Sequence, residues 1–370
     1  MKKALSILTA GCLAVSLAAC GSTAASSAAS AADSTASSAA ESTAASDTAA
    51  ADGQTYKVGI CQLVQHVALD AATQGFKDAL TEQLGDAVTF EEKNAQGDSN
   101  TCSTIINGFV SDNVDLILAN ATPALQAAQA GTNTIPVLGT SVTEYGVALG
   151  IDDFDGLLGT NISGTSDLAP LDEQAGIIKE LFPDAKTVGL LYCSAEANSQ
   201  YQVDTVKASL EELGYTCEYY AFSDSNDLAT VCQSAADASD VIYVPTDNTV
   251  AANTGIVDGI CRPAKKPVFA GEEGICSGCG VATLSISYYD LGYTTGEMAV
   301  KILNGESDIS TMPIEYTDVT GKMAAKILTG ESKVEDMPIE YAPEFTKEYN
   351  PTIAEALGIT IPDDYVAYEG

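Results

Sequence analysis

The sequence predicts an α/β protein with two Rossmann-like lobes, each built on a parallel sheet, joined by a hinge and preceded by a leader and a disordered linker. Three observations carry this prediction. From Tyr56 onward, short apolar runs of strand length alternate with helical patterns. The runs are continuously apolar, as in parallel sheets that are covered on both faces. This alternation occurs twice, over about 110 residues each time, which is the size of a typical domain.

The N-terminus has the features of an export signal. Lys2 and Lys3 precede an apolar segment, Ala4 to Ala19, that is too short to span a membrane. Residues 1–19 are therefore predicted to be a lipoprotein signal peptide. The sequence Leu-Ala-Ala-Cys-Gly at 17–21 resembles the bacterial lipobox, which implies lipidation of Cys20, as with palmitate, and a membrane anchor. The alternative is an ordinary signal peptide that is cleaved nearby.

Residues 20–54 consist mainly of Ala, Ser and Thr. The segment cannot bury an apolar core and is predicted to be a flexible tether. A chain of about 30 residues has a root-mean-square reach of roughly 30 Å. This reach separates the folded part from a membrane surface.

Composition excludes one class of partner. The formal charge of −35 argues against nucleic acid, because phosphate contacts need clustered Lys and Arg. Eight cysteines lie outside the leader, and two of them form the CxxC pair Cys276 and Cys279 in a glycine-rich stretch. No second pair has this spacing, so no metal site is predicted. A local disulfide and two free thiols both remain open for this pair.

The first lobe is predicted from the order of its patterns. Thr122 and Pro123 start its third helix, with Thr122 as the N-cap and Pro123 in the first turn. Glycine-rich residues 140–166 are predicted to be loops with short strands and to contain the first crossing between lobes. The expected strands are 57–61, 87–92, 114–119 and 135–139, and the helices are 68–84, 99–112 and the one from 122.

The second lobe repeats the order. Pro183 ends its first predicted helix, and Gly214 ends the next. The expected strands are 187–192, 216–222, 241–244 and 267–270, and the expected helices are 168–181, 198–213, 227–236 and 248–261.

A tandem repeat follows. Residues 296–316 recur as 321–341, offset by 25 residues. We expect the first copy to supply a helix of the N-terminal lobe. We expect the MPIEY segment of the second copy to return the chain to the C-terminal lobe. The predicted division is 55–163 with 283–316 for the N-terminal lobe, 164–282 with 337–370 for the C-terminal lobe, and 317–336 as a duplicated insertion.

Polar loops follow the predicted strands in both lobes. In open α/β sheets, ligands bind outside the carboxyl ends of the strands. Helix N-termini, here those near Thr122 and Ser199, suit a carboxylate, and an acidic side chain, here Asp247, suits an ammonium group. Together the two groups describe an α-amino acid. For each loop alone, capping is the alternative, since Asn198 and Asn248 are good N-cap residues. The candidate ligand-binding residues are Gln65, His66, Thr122, Ser141, Asn198, Ser199, Asp247, Asn248 and Glu272.

Catalytic motifs are missing from the sequence. It contains no GxSxG, HExxH or phosphate-loop motif, and His66 is its only histidine. A protein without enzymatic activity and without a cofactor is therefore predicted.

Several segments together resemble the substrate-binding lipoproteins of tryptophan/tyrosine-type ABC importers. They are residues 59–80, 94–98, 121–128, 194–203, 244–251 and 269–274. The resemblance implies a type I periplasmic-binding-protein fold with three crossings. It also implies a monomer, lipid-anchored on the extracytoplasmic face of the cell membrane, that captures an amino acid, in characterised relatives an aromatic one, and delivers it to ABC permease subunits.

The resemblance has departures in the ligand loops. Val67 stands where many relatives have Pro after the histidine, and residues 142–145 replace a usual Thr-Asp-Pro. Tyr145, Tyr201 and Tyr288 are the candidates for stacking on an aromatic ligand. The alternatives are the same scaffold binding a sugar or nucleoside, or a ligand sensor for a membrane kinase.

The repeat generates a test. Deleting one 25-residue unit around residues 308–330 is expected to leave folding and ligand binding intact, because surface insertions of this length contribute little to stability. Circular dichroism and ligand titration of the deletion variant measure both properties. Loss of both would contradict the interpretation of the repeat as an insertion.

Overall fold

The computed structural model describes residues 54–316 and 345–368. The predicted signal peptide, the lipidation site at Cys20, nearly all of the tether and the second repeat copy lie outside these residues. Within them the chain forms two β-sheets, each with helices on both faces. We call each sheet with its helices the N-terminal or C-terminal lobe.

The N-terminal lobe has a six-stranded parallel sheet. Its strand order is β11-β5-β4-β3-β1-β2. The strands are β1 (Tyr56–Gln62), β2 (Val88–Asn94), β3 (Leu116–Asn120), β4 (Val137–Val142), β5 (Ile162–Ser166) and β11 (Glu315–Tyr316). The helices are α1 (Val67–Leu84), α2 (Ser99–Ser111), α3 (Thr122–Gly131), α4 (Tyr145–Leu149) and α11 (Tyr288–Leu303).

The C-terminal lobe has a seven-stranded sheet in the order β13-β12-β10-β9-β8-β6-β7. Only the β10–β12 pair is antiparallel among the described pairs of this sheet. The strands are β6 (Thr187–Cys193), β7 (Thr216–Phe222), β8 (Val241–Val244), β9 (Val268–Ala270), β10 (Ala282–Ser285), β12 (Thr346–Tyr349) and β13 (Val366–Ala367). The helices are α5 (Leu171–Leu181), α6 (Ala197–Glu212), α7 (Ser225–Ala238), α8 (Asn248–Ala251), α9 (Thr254–Cys261), α10 (Glu273–Gly278) and α12 (Pro351–Leu357).

Both faces of the N-terminal sheet are buried, as the continuous apolar strands predict. Leu116 and Leu118 of β3 pack with Phe76 of α1 on one face. Ile117, between them, packs with Phe109 of α2 on the other face. Because successive side chains of a strand point to opposite faces, one apolar run supplies two cores.

Two predicted lobe boundaries fall inside strands. The boundary at 163/164 divides β5, although β5 pairs with β4 in the N-terminal sheet. The boundary at 282/283 divides β10, which pairs with β9 in the C-terminal sheet. The crossings between lobes therefore begin after these strands, at Asp167 and at Ile286. The chain passes to the C-terminal sheet again between β11 and β12.

Three local predictions also need correction. Glu315 and Tyr316 of the first repeat copy pair with β5, so the first copy supplies a strand of the N-terminal sheet as well as a helix. The predicted helix over 248–261 is two helices, α8 and α9. Thr122 is the first residue of α3 rather than its N-cap, and Ala121 occupies the N-cap position.

Helices α1 and α11 approach until their backbones touch. A Cβ atom on Gly75 would collide with the carbonyl oxygen of Tyr289, and one on Gly292 would collide with that of Ala72. A Cβ on Gly296 would lie 2.7 Å from the carbonyl oxygen of Phe76. Glycine is required at these positions because no other residue permits this separation. The contact therefore fixes α11, which follows the second crossing, against α1.

Adding one methyl group at this contact tests it. Gly292→Ala is expected to lower the free energy of unfolding by about 1–3 kcal/mol, because the new Cβ must displace backbone. Gly108→Ala is the matched control, since Gly108 is an exposed residue of α2 and a Cβ added to it would meet no neighbouring atom within 4 Å. There the higher helix propensity of Ala is expected to stabilise by about 0.5–1 kcal/mol. Urea unfolding measures both, and an equal change in the two variants would contradict the packing argument.

Candidate functional site

Residues that follow the strands of both lobes meet in one buried region. From the N-terminal lobe come the ends of β1, β3 and β4, and from the C-terminal lobe the ends of β6, β8 and β9. We call this region the inter-lobe site. Seven of the nine predicted ligand-binding residues are buried there: Thr122, Ser141, Asn198, Ser199, Asp247, Asn248 and Glu272.

The remaining two predicted residues differ from each other. His66 is half-buried, and its Nε2 lies 3.1 Å from Oδ1 of Asn248 in the other lobe. Gln65 is exposed, so the structure does not place it with the buried set. Its neighbour Gln62 is buried instead and holds the loop, donating to Val64 O and Asp70 and accepting from Thr73.

Bonds between the lobes hold the site closed. Besides His66 and Asn248, Nε2 of Gln202 on α6 donates to Oγ1 of Thr143 at 3.3 Å. Oε1 of the same Gln202 accepts from the backbone N–H of Thr246. Gln202 therefore joins the end of β4 to the loop after β8. It was not among the predicted residues, because its position inside α6 gives no signal of a cross-lobe contact.

The predicted asparagines Asn198 and Asn248 do not cap α6 and α8, and an acid caps α8 instead. Asp247 is the N-cap of α8, and its Oδ1 accepts from the backbone N–H of Val250. Its Oδ2 accepts from the N–H of Cys193 and from Oγ of Ser199. Asn198 and Asn248 both lie inside helices. Asp247 thus already has three hydrogen-bond donors in the protein.

Glu196, which sequence reasoning did not select, also binds the start of α8. It is the N-cap residue of α6, and its carboxylate accepts from the backbone N–H groups of Asn248 and Thr249. The side chains of the same two residues also donate to it. This carboxylate therefore binds a helix that begins 52 residues later in the chain. The separation explains why no local motif identified it.

Several buried polar atoms of the site have no hydrogen-bond partner. Four of them belong to residues around the cleft: His66 Nδ1, Ser141 Oγ, Asp167 Oδ1 and Asn198 Oδ1. Buried polar groups in folded proteins are almost always hydrogen-bonded, because an unpaired one costs about 1–3 kcal/mol. Unpaired atoms from both lobes therefore indicate a place where a polar ligand completes the bonding.

Four carboxyl groups are buried in the same region: Asp167, Glu196, Asp247 and Glu272. Among the described residues, no Lys or Arg forms a salt bridge with any of them. Burial raises the pKa of Asp167 to about 6 and the pKa of Glu272 to about 8. Burial, followed by the nearby Glu196 carboxylate, raises the pKa of Asp247 to about 8. A cationic group in the site would lower these pKa values, because it stabilises the charged form of a carboxyl group.

Two residues near the carboxyl ends of β3 and β4 have an unusual backbone conformation. Ala121, before α3, has φ 88° and Ser141, in β4, has φ 54°. Both values lie in the left-handed region that non-glycine residues rarely adopt, and such strain clusters at ligand sites. Thr122 starts α3, where backbone N–H groups have no helical acceptor. These features suit an anionic group of a ligand.

The three candidate stacking tyrosines have different surroundings. Tyr145 is buried in the N-terminal core with its hydroxyl donating to Thr165 O. Tyr288 is buried with its hydroxyl donating to Asp167. Tyr201 on α6 is half-buried, and the Glu144 carboxylate of the opposite lobe contributes, after burial, to raising its pKa. Tyr201 is therefore the only one of the three that is not fully buried.

A cavity of about 180 Å³ opens between the lobes on the side of β2 and β7. Leu63, Val64 and Pro123 line it from the N-terminal lobe, and Glu196 and Thr249 line it from the C-terminal lobe. Because β2 and β7 are the strands farthest from the crossings, this cavity marks the outer lip of the cleft.

The cysteines of the described residues are all free and buried. Cys276 and Cys279 lie in and just after α10, so of the two alternatives for the CxxC pair the structure has free thiols in a helix rather than a disulfide in a loop. Within the described ranges, no group of His, Cys, Asp and Glu is arranged to hold a metal ion. None of the described helices combines the length and apolar character that crossing a bilayer requires.

Comparison with known proteins identifies the family. A family profile described as ABC transporter substrate binding protein matches residues 57–320, which is more than half of the chain. The chain belongs to the ABC transporter substrate-binding protein family. Membership confirms the predicted family and the solute-binding function, and it assigns the protein to the extracytoplasmic component of an ABC transporter.

Individual relatives agree with this assignment. A tyrosine-binding protein of Clostridioides difficile strain R20291 is 37% identical over 267 residues, covering 71% of this chain and 77% of that protein. A solved ABC domain from Streptococcus pneumonia in complex with L-Trp is 30% identical, with a TM-score of 0.74 over 84% of this chain and 97% of that one.

The lobes of this binding protein are in a closed arrangement. The ligand-free, open structure of a substrate-binding protein with adhesive properties from Clostridium difficile is 36% identical, yet its TM-score is only 0.60 over 85% of this chain and 99% of that one. The complex with L-Trp fits better at lower identity. The cross-lobe hydrogen bonds of His66 and Gln202 agree with a closed cleft.

The raised pKa of Glu272 generates a test on the ligand-free protein. Its folded pKa of about 8 exceeds that of an unfolded Glu, so its contribution to stability is complete below the unfolded pKa and is lost as pH rises through about 8. Glu272→Gln is expected to flatten the fall of unfolding free energy between pH 5 and 8 by up to about 1.4 kcal/mol per pH unit. Glu173→Gln, an exposed acid of α5, is the control. Urea unfolding at several pH values gives the free energy of unfolding as a function of pH. If wild type and Glu272→Gln have the same slope between pH 5 and 8, the raised pKa is contradicted.

Proposed function

We propose that this protein captures an aromatic amino acid between its two lobes and delivers it to the permease subunits of an ABC importer. One observation carries the proposal: four buried carboxyl groups, none of which forms a salt bridge with a Lys or Arg of the described residues, lie in the same region as unpaired polar atoms from both lobes. An α-amino acid brings a cationic ammonium group for the carboxyls and a carboxylate for the N–H groups at the start of α3.

The relatives support an aromatic side chain on the ligand. One is a tyrosine-binding protein and another was solved with L-Trp bound. Within the site, the half-buried ring of Tyr201 and the apolar lining of the outer cavity suit such a side chain.

Closure couples binding to delivery. His66 and Asn248 meet across the cleft, as do Thr143 and Gln202, so the closed state makes bonds that an open cleft lacks. A ligand that pairs the remaining atoms favours the closed state by its differential affinity. In this proposal the protein works as a monomer without enzymatic activity, and Cys20 carries lipid that anchors it at the cell membrane.

A panel of ligands tests the proposal. Isothermal titration calorimetry should show binding of L-tryptophan or L-tyrosine. Two kinds of analogue should bind at least about tenfold more weakly, since each leaves charged or polar groups of the site unpaired. The deaminated analogues are indole-3-propionate and 3-(4-hydroxyphenyl)propionate, and the decarboxylated amines are tryptamine and tyramine. Glucose and adenosine serve as controls for other ligand classes. Tight binding of a control, with no binding of either amino acid, would overturn the proposal.

A further inference from the structure

Asp167 lies where two crossings between the lobes meet. It directly follows β5, so it begins the first crossing. Tyr288 begins α11, immediately after the second crossing. The Tyr288 hydroxyl donates to Oδ2 of Asp167 at 2.9 Å, and both side chains are buried. This hydrogen bond therefore joins the two crossings side chain to side chain.

The second oxygen of Asp167 has no partner. Oδ1 is buried and accepts no hydrogen bond from the protein, although a carboxylate oxygen normally accepts one or two. The backbone N–H of Asp167 donates to Val142 O at the end of β4. Asp167 therefore lies beside the strand that carries Ser141, whose Oγ is also buried and unpaired.

No positive charge of the described residues compensates Asp167. Burial opposes the charged form of Asp167, while the hydroxyls of Tyr288 and Thr143 and its own backbone N–H favour that form. Asp167 in turn helps to raise the pKa of Glu272, which follows β9 in the other lobe. Asp167 is thus an acid between the lobes with a free acceptor, close enough to Glu272 to interact with it electrostatically.

We propose that Oδ1 of Asp167 receives the ammonium group of the bound amino acid and that Tyr288, by holding Oδ2, transmits this contact to the second crossing. The inference rests on the proposed function and assigns the role that sequence reasoning gave to Asp247. Asp247 has three hydrogen-bond donors in the protein and acts as the N-cap of α8. Asp167 is a specificity-determining residue, and Tyr288 is a positioning residue.

The test compares ligands that differ only in the amino group. L-tryptophan and indole-3-propionate, and L-tyrosine and its deaminated analogue, are titrated calorimetrically into wild type and Asp167→Asn. The variant is expected to lose at least about tenfold in affinity for the amino acids, because the neutral amide cannot form a charge-assisted bond. Its affinity for the deaminated analogues should change less than about threefold, and Asp172→Asn, an exposed acid of α5, should change neither.

Tyr288→Phe tests the coupling and remains informative if Asp167→Asn does not fold. It removes only the hydroxyl that holds Oδ2. We expect a loss of affinity for the amino acids but not for the deaminated analogues, and a smaller decrease in radius of gyration on adding saturating ligand, measured by small-angle X-ray scattering. A role of Tyr288 in packing alone would weaken both ligand types equally.

The outcomes separate the two proposals. If wild type binds neither amino acid, the proposed function fails and this inference fails with it. If wild type binds them and Asp167→Asn loses equal affinity for both ligand types, or none, the inference alone is overturned. An amine-specific loss in Asp247→Asn without one in Asp167→Asn would likewise overturn it and return the ammonium contact to Asp247.

Discussion

The burial of four carboxyl groups that form no salt bridge within the described part of the chain is the constraint under which the two lobes close. Charges that leave water need an opposite charge or several hydrogen-bond donors. Glu196, Asp247 and Glu272 meet part of this need with backbone N–H groups at helix starts. Asp167 meets it only on one oxygen. The closed protein thus retains an unpaired acceptor at the crossings, which in the proposed function pairs with the cationic group of the ligand.

The parallel sheets bring these carboxyl groups together between the lobes. Carboxyl ends of neighbouring strands lie at the same edge, so loops distant in sequence converge on the inter-lobe site. At the starts of α6, α8 and α10 in the C-terminal lobe, an acidic side chain accepts from N–H groups of its own helix or of a neighbouring one. Asp247 is paired within the protein as a cap, whereas Asp167 keeps an unpaired oxygen.

The sequence was sufficient to predict two lobes built on parallel sheets and most of the loops that form the inter-lobe site. Apolar periodicity is local, and Thr216–Phe222 and Val241–Val244 have the bounds that it predicts. The individual partners depend on tertiary contacts: Glu196 binds α8 across 52 residues, and Asp167 contacts Tyr288 across 121. No spacing rule reaches such distances. The repeat posed a different problem, since both copies contain the same MPIEY segment and local sequence cannot decide which one pairs with β5.

The glycine contact between α1 and α11 limits how this receptor can move. Helices that meet through side chains can slide past each other by exchanging rotamers, which is the basis of shear motions. At Gly75 and Gly292 backbone lies directly against backbone, and sliding would drive carbonyl groups into Cα atoms. The N-terminal lobe must then rotate as one rigid block. The torsional change of opening then falls on the crossings between the lobes. The two crossings that are fully described are short, Asp167 to Pro170 and Ile286 to Ser287, so very few residues there must absorb the rotation.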